Sequence, residues 1–352
     1  MSESKSHIRW TIGIVIAAGI TIVLAWSGSQ WWIGDQGDAG EKDVAATQST
    51  KTATANKATE PAAQGQGNTS TASFQPPPRS AMPDDEFGKM VRLGQNVFRH
   101  TQQYAGQYVG NDLACANCHL DSGRKANSAP LWAAYPVYPK YRGKNKKVND
   151  FAERMQGCFK YSMNGTPPPR GSDVLVALEA YSFWLAQGAP TGKKLPGAGY
   201  PKLDKPPKPA SYERGKQVFA NNCALCHGDH GQGRRTANGE ITFPPLWGAG
   251  SYNWGAGMHR INTAASFIKA NMPFSKPDLT LQQAWDVARY INSQERPQDP
   301  RFTGSVAETQ KKFHDTPNSM YGTRVDGKLL GQNAPPADAV NPSKNSRVDH
   351  ER

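Results

Sequence analysis

Cys115-Ala116-Asn117-Cys118-His119 and Cys223-Ala224-Leu225-Cys226-His227 decide how this chain is read. In each, two thiols three positions apart are followed at once by an imidazole. Thiols at that spacing reach the two vinyl groups on one side of a porphyrin, and the next residue then falls beneath the iron. The pattern predicts two covalently bound c-type haems, attached through Cys115 and Cys118 and through Cys223 and Cys226. His119 and His227 are the expected proximal iron ligands. A zinc site could use such residues, but an exported chain is a poor setting for reduced thiolates. Disulfides would use cysteines in pairs and leave one of the five over. Neither explains a histidine directly after both pairs.

Around the second motif, Ser211 can cap a helix running through Tyr212, Val218 and Phe219 into the haem-binding turn. A glycine-rich loop covers 228–239, and Pro244-Pro245-Leu246-Trp247 follows. A helical stretch over 263–271 leads into Met272-Pro273. Thr280 and Gln283 then form a capping box for a helix with Trp285, Ala288 and Ile291 on one side. Residues 211–297 thus resemble a class I cytochrome c. That resemblance implies Met272, 45 residues after His227, as sixth ligand of the second iron. The alternative for Met272 is a core methionine filling a gap, which is the reading taken for Met155 and Met258.

Outward from the first motif, a helix is expected near 86–101. A second, capped by Ser172, carries Leu178, Tyr181 and Leu185 at i, i+3 and i+7. No Met-Pro pair lies between. The segment Arg154-Met155-Gln156-Gly157-Cys158-Phe159-Lys160-Tyr161-Ser162-Met163-Asn164-Gly165 stands there instead. Cys158 follows His119 by 39 residues, about where a distal ligand belongs. A free Cys is more often a small buried hydrophobe, and Met163 is another possible ligand. Yet a lone thiol in an oxidising compartment is a hazard unless something protects or uses it.

The N-terminus indicates the compartment. No charged residue occurs from Trp10 to Gly34. Lys5 and Arg9 precede the run, while Asp35, Asp38, Glu41 and Asp43 follow it. This polarity predicts a transmembrane anchor over 1–34, with the rest on the periplasmic side of the inner membrane. If the segment is a cleaved signal peptide, the product is soluble in the periplasm. Residues 35–83 hold few large apolar groups and read as a flexible linker. The expected organisation is mainly α: two cytochrome c-like domains in tandem, 84–200 and 201–300, then an extended or disordered tail over 301–352, in which Phe313-His314-Asp315 and Tyr321-Gly322 suggest irregular packing onto the domains and residues from about 333 read as disordered. Apolar residues make up only 37% of the 352, and Gly (34) and Pro (27) are plentiful, as long polar segments and loops require. The net charge of +12 is scattered, with no basic run of the kind nucleic acid favours; it also suits small anions or an acidic redox partner, and charge alone does not choose between these.

A longer string narrows the reading. Leu120-Asp121-Ser122-Gly123 follows the first motif, and Tyr138-Pro139-Lys140-Tyr141-Arg142 comes next. Gly157-Cys158, Ser162-Met163-Asn164-Gly165, Phe243-Pro244-Pro245-Leu246-Trp247, Ser251-Tyr252-Asn253 and Gly255-Ala256-Gly257-Met258 continue it. Phe267-Ile268-Lys269-Ala270-Asn271-Met272-Pro273 and Ala284-Trp285-Asp286-Val287 complete it. Over roughly 84–300 the chain resembles the thiosulfate dehydrogenases, two-haem cytochromes that join two thiosulfates into tetrathionate and in many members run backwards. The resemblance implies a catalytic first haem ligated by His119 and the Cys158 thiolate. It implies a second, electron-passing haem ligated by His227 and Met272, and Arg154 and Ser162 beside the thiolate. Some members have a lysine before the methionine that exchanges with it; Asn271 stands here, so steady His/Met ligation is expected. The implied redox partner is a cytochrome c or a membrane oxidase. Lys160, Arg170, Arg142 and Lys144 are further candidates for offsetting the repulsion between two dianions. The competing readings are another sulfur-oxidising cytochrome and a plain two-haem electron carrier.

Overall fold

The computed structural model describes residues 74–336. The predicted anchor and most of the predicted linker lie outside the described residues. Among those described, no helix is long and apolar enough to cross a membrane. The first predicted unit is built on α1 (Glu86–Arg99), α2 (Phe151–Tyr161) and α3 (Asp173–Leu185), the second on α4 (Tyr212–Asn222), α5 (Ile261–Asn271) and α6 (Leu281–Asn292). Two-stranded antiparallel hairpins join them: β1 (Lys140–Arg142) with β2 (Lys147–Asn149), and β3 (Arg234–Arg235) with β4 (Ile241–Phe243).

Both units rest on one device. In the first, α1 crosses α3 at Gly94, where an added Cβ would stand 2.0 Å from the Ala177 carbonyl oxygen and 2.7 Å from Tyr181 Cβ. In the second, α4 crosses α6 at Gly215, where it would stand 2.0 Å from the Asp286 carbonyl oxygen and 2.8 Å from Tyr290 Cβ. A side chain at either position would force the helices apart, because packed backbone cannot yield. The second crossing adds a forked ion pair, with Arg214 Nε and Nη2 at 2.7 and 2.9 Å from the buried Asp286 carboxylate.

The caps explain where helices begin. Asp85, Asp150 and Ser211 each accept a backbone N–H of the first turn of α1, α2 and α4. Thr280 and Gln283 form the expected reciprocal box at α6. Ser172 precedes α3 as expected, but its side chain makes no cap bond. Around the crossings sit two apolar cores. Trp132, Phe159, Leu175, Tyr181, Trp184 and Leu185 centre the first; Phe219, Trp254, Ala265, Val287, Ala288 and Tyr321 centre the second.

At two expected boundaries the described residues are more ordered than composition suggests. The linker does not run to 83: Phe74 packs on Trp132 with ring centroids 5.4 Å apart, and Arg124 Nη2 donates to the Pro77 carbonyl at 2.8 Å. One aromatic anchor and a proline-fixed backbone suffice where average composition reads as unstructured. Nor is the tail extended through its length. Met320, Tyr321 and Leu330 are at most 5% exposed and belong to the second core. A hairpin of β5 (Arg324–Val325) and β6 (Lys328–Leu329) returns the chain so that Leu330 donates to the Thr323 carbonyl and Gly322 to that of Leu330. The same segment buries His314. Its Nε2 lies 2.9 Å from Asp299 Oδ2 and its Nδ1 3.2 Å from His259 Nε2, while Arg301 clasps Asp299 at 2.6 and 2.9 Å.

Candidate active site

Helix α2 carries the residues closest to the expected chemistry. Asp150 caps it, accepting from the Glu153 N–H at 2.8 Å, so the next turns present Arg154 and Cys158 on one face. Arg154 Nη1 donates to Cys158 Sγ at 2.8 Å. Its interaction with Cys158 is the main cause holding the Arg154 guanidinium above its ordinary pKa. Ser162 follows as the C-cap, its N–H donating to the Cys158 carbonyl at 2.8 Å. Met163, the other candidate ligand, is 3% exposed and packs in the first core.

The first motif converges on the same place. Burial pushes Cys115 up to about 12 and Cys118 to about 11, and the nearby Cys158 charge adds to both. His119 Nδ1 donates to the Ala129 carbonyl at 2.7 Å, leaving Nε2 free to act as a ligand. Burial lowers the pKa of the ring, which keeps it neutral as ligation needs. Ser128 Oγ supports the motif from behind, donating to the Cys118 carbonyl at 3.0 Å and accepting from the Leu120 N–H at 3.1 Å.

Tyrosines and a lysine fill in the surroundings. Tyr138 is hydrogen-bonded to Arg154; burial raises it, with the Arg154 charge pulling the other way. Burial pushes Tyr200 well above the ordinary range, and the charges of Cys118 and Cys158 push the same way. Lys144, at the β1–β2 turn, reaches over the Tyr161 ring with Nζ 3.3 Å from its centroid and 2.5 Å from the Gly255 carbonyl oxygen. Desolvation, helped by Arg301 and Arg154, brings its pKa down to about 7. Of the other candidate cations, Arg170 is exposed and bound to Asp150 Oδ2 at 2.5 Å, so it serves the cap of α2. Lys160 stands 5.8 Å from the Tyr161 ring. Nothing in the sequence singled out Tyr200, which lies on the connection between the two units, far along the chain from α2.

The second motif repeats the first arrangement. His227 Nδ1 donates to the Pro244 carbonyl at 2.9 Å, and burial lowers its pKa. Burial raises Cys223 to about 12. Leu225, between the thiols, is 84% exposed. Met272 caps α5, its N–H donating to the Ile268 carbonyl at 2.8 Å, and it packs half-buried against the second core. All five cysteines are free. Among the described residues, no three His, Cys, Asp or Glu side chains converge as a bare metal site needs. The donor sets therefore fit covalent haem: paired thiols on one turn, an imidazole oriented through Nδ1, and a soft sulfur donor in each unit.

Comparison with known proteins agrees. Residues 212–295 match the cytochrome c family, and residues 100–191 match the SoxA/TsdA cytochrome c domain. A protein of Thiomonas intermedia called thiosulfate dehydrogenase is 59% identical over 74% of this chain and 83% of its own length. Another of that name from Stutzerimonas stutzeri is 56% identical, over 74% of this chain and 85% of its own. A solved thiosulfate dehydrogenase (TsdBA) from Marichromatium purpuratum, in its as-isolated form, is 53% identical with a TM-score of 0.73. That match covers 75% of this chain but 58% of the other, so the chain spans less than two thirds of that longer molecule.

Proposed function

The chain belongs to the thiosulfate dehydrogenase family, and from that premise we propose that it oxidises two thiosulfates to tetrathionate at Cys158. The two c-type haems, when bound, would supply one-electron redox chemistry for the two electrons released. Cys115, Cys118 and His119 would hold the first, with Cys158 as its sixth ligand; Cys223, Cys226, His227 and Met272 would hold the second.

The Cys158 thiolate forms a sulfur–sulfur bond with the outer sulfur of the first thiosulfate as two electrons leave. The outer sulfur of a second thiosulfate then attacks that same sulfur. The new bond is the central one of tetrathionate, and Cys158 departs as a thiolate. No proton is gained or lost, and the same steps read backwards reduce tetrathionate. Both reactants are dianions, so the barrier is largely electrostatic. Arg154, which donates to the Cys158 sulfur, offsets the charge of the first dianion, as a charge-assisted donor does best out of water. Lys144, near enough to feel the Arg154 charge, supplies the second positive charge. Ser162, the C-cap of the same helix, is assigned as a substrate-binding hydroxyl on the family resemblance.

The observation carrying this reading is the 2.8 Å contact between Arg154 and Cys158, which gives the one cysteine outside the attachment motifs a partner suited to a thiolate. The test is thiosulfate-dependent reduction of ferricyanide by the haem-loaded protein beside Cys158→Ala. The expected result is activity in the parent and less than about a thousandth of it in the variant, as for loss of a nucleophile, with both haems retained. A parent inactive with thiosulfate and with tetrathionate would leave an electron carrier. The charge pattern about residues 10–34 supports an anchored, periplasmic enzyme, and the basic surface supports an acidic cytochrome as electron acceptor.

A further inference from the structure

Asn271 immediately precedes Met272 and is fully buried. Its Nδ2 donates at 3.1 Å to two carbonyls, those of Phe267 on its own helix and of Asn127 in the first unit. The amide cannot be turned over, because its oxygen would then face two carbonyl oxygens. Its Oδ1 is left buried with no partner. A residue serving only to fill space would be cheaper as an apolar side chain, since a lone buried acceptor is destabilising. The donor side is therefore what the position needs.

The far end of that bond is a stiff loop. Asn127 and Ala129 both take positive φ, 62° and 47°, and their N–H groups donate to the Gly197 and Gly199 carbonyls at 2.8 Å each. Ser128, fully buried between them, holds the backbone on either side of His119. The Ala129 carbonyl holds the His119 ring. Three consecutive residues thus fix the proximal ligand of the first haem and, through the Asn127 carbonyl, the end of α5.

We infer that Asn271 is a positioning residue: its amide ties Met272 to the loop that orients His119, so that the ligands of the two haems share one hydrogen-bonded frame. This rests on the reading of Met272 as the second haem's sixth ligand. Without the bond, the last turn of α5 loses its hold on the first unit, and the thioether yields its place more readily.

The test is imidazole titration of the ferric holoprotein, followed at the absorption band specific to thioether ligation. Asn271→Ala removes the amide; Asn271→Leu keeps its bulk but cannot donate. Both variants should exchange the thioether for imidazole about five- to tenfold more readily than the parent, the factor expected for one lost hydrogen bond. Met272→Leu should abolish the band. Unchanged titrations in variants that load both haems would overturn the proposal while leaving the ligand assignment intact. A band that survives Met272→Leu would show that the ligand assignment fails, and the proposal with it. Failure of both Asn271 variants to load haem would make the residue a general folding requirement and also overturn it.

Discussion

Lys144 has a pKa near 7, so its charge is present on the acid side of neutrality and lost as pH rises. If it offsets the second thiosulfate, kcat/KM should fall as pH climbs through 7, while thiosulfate stays a dianion throughout. Lys144→Arg, charged at every accessible pH, should flatten that limb of the profile. Lys144→Met should lower kcat/KM at pH 6 about tenfold, the size of one charged hydrogen bond. An unchanged profile in Lys144→Arg would place the lysine outside the reaction. Single residues of this kind were only partly legible in the sequence. The haem motifs were, because covalent attachment dictates spacing along the chain. The contact of Arg154 with Cys158 was readable too, because they lie one helical turn apart. Choosing Lys144 over Arg170 was not: both are basic and near α2 in sequence, and only the fold shows that Asp150 already occupies Arg170 while a hairpin turn delivers Lys144 to Tyr161. Tyr200 reaches the site from the connection between the units, and no local pattern announces that.

At the scale of helices, the paired crossings make a sharper demand than hydrophobic patterning. Apolar periodicity located the helices that meet, but it does not say where two backbones touch. Gly94 and Gly215 do. In an open helix, Gly→Ala gains up to ~1 kcal/mol. Here the new methyl would meet the Ala177 or Asp286 carbonyl at 2.0 Å. Gly215→Ala should therefore lower the stability of the haem-loaded protein by roughly 1–3 kcal/mol, the range for overpacking, read as a fall in midpoint on denaturant titration. A stability equal to the parent's would mean that the crossing can slide. Ser172 shows the limit of reading caps from sequence: the residue type suits the role, yet the helix begins without its hydroxyl.

Over the whole molecule, the tail is where composition says least. It is polar on average, but Met320, Tyr321, Leu330 and His314 fall where the second core and the Asp299 cluster need them. That burial has a pH signature. Desolvation holds His259 well below 6.5 and lowers His314, with Arg260 pressing the same way on both and Asp299 opposing at His314. The unfolded chain takes up these protons below pH 6.5 and the folded one resists. Stability should be full above that pH and decline as pH falls through it. Thermal midpoints from about pH 8 to about pH 5 should show the decline, and His259→Asn should reduce its slope. A flat profile would mean that the pair keeps its protons in the fold.

The ordered tail bears finally on how the molecule can be cut. The cytochrome c family match ends at residue 295, which invites trimming there to obtain a small one-haem electron carrier. Such a piece would lack the side chains that close its own core: Tyr321, stacked 4.3 Å from His314 and edge-on to Trp254 at 5.5 Å, and Leu330 beside it. The trimmed module would open an apolar face to water and invite aggregation. The natural unit of transplantation runs on past residue 330.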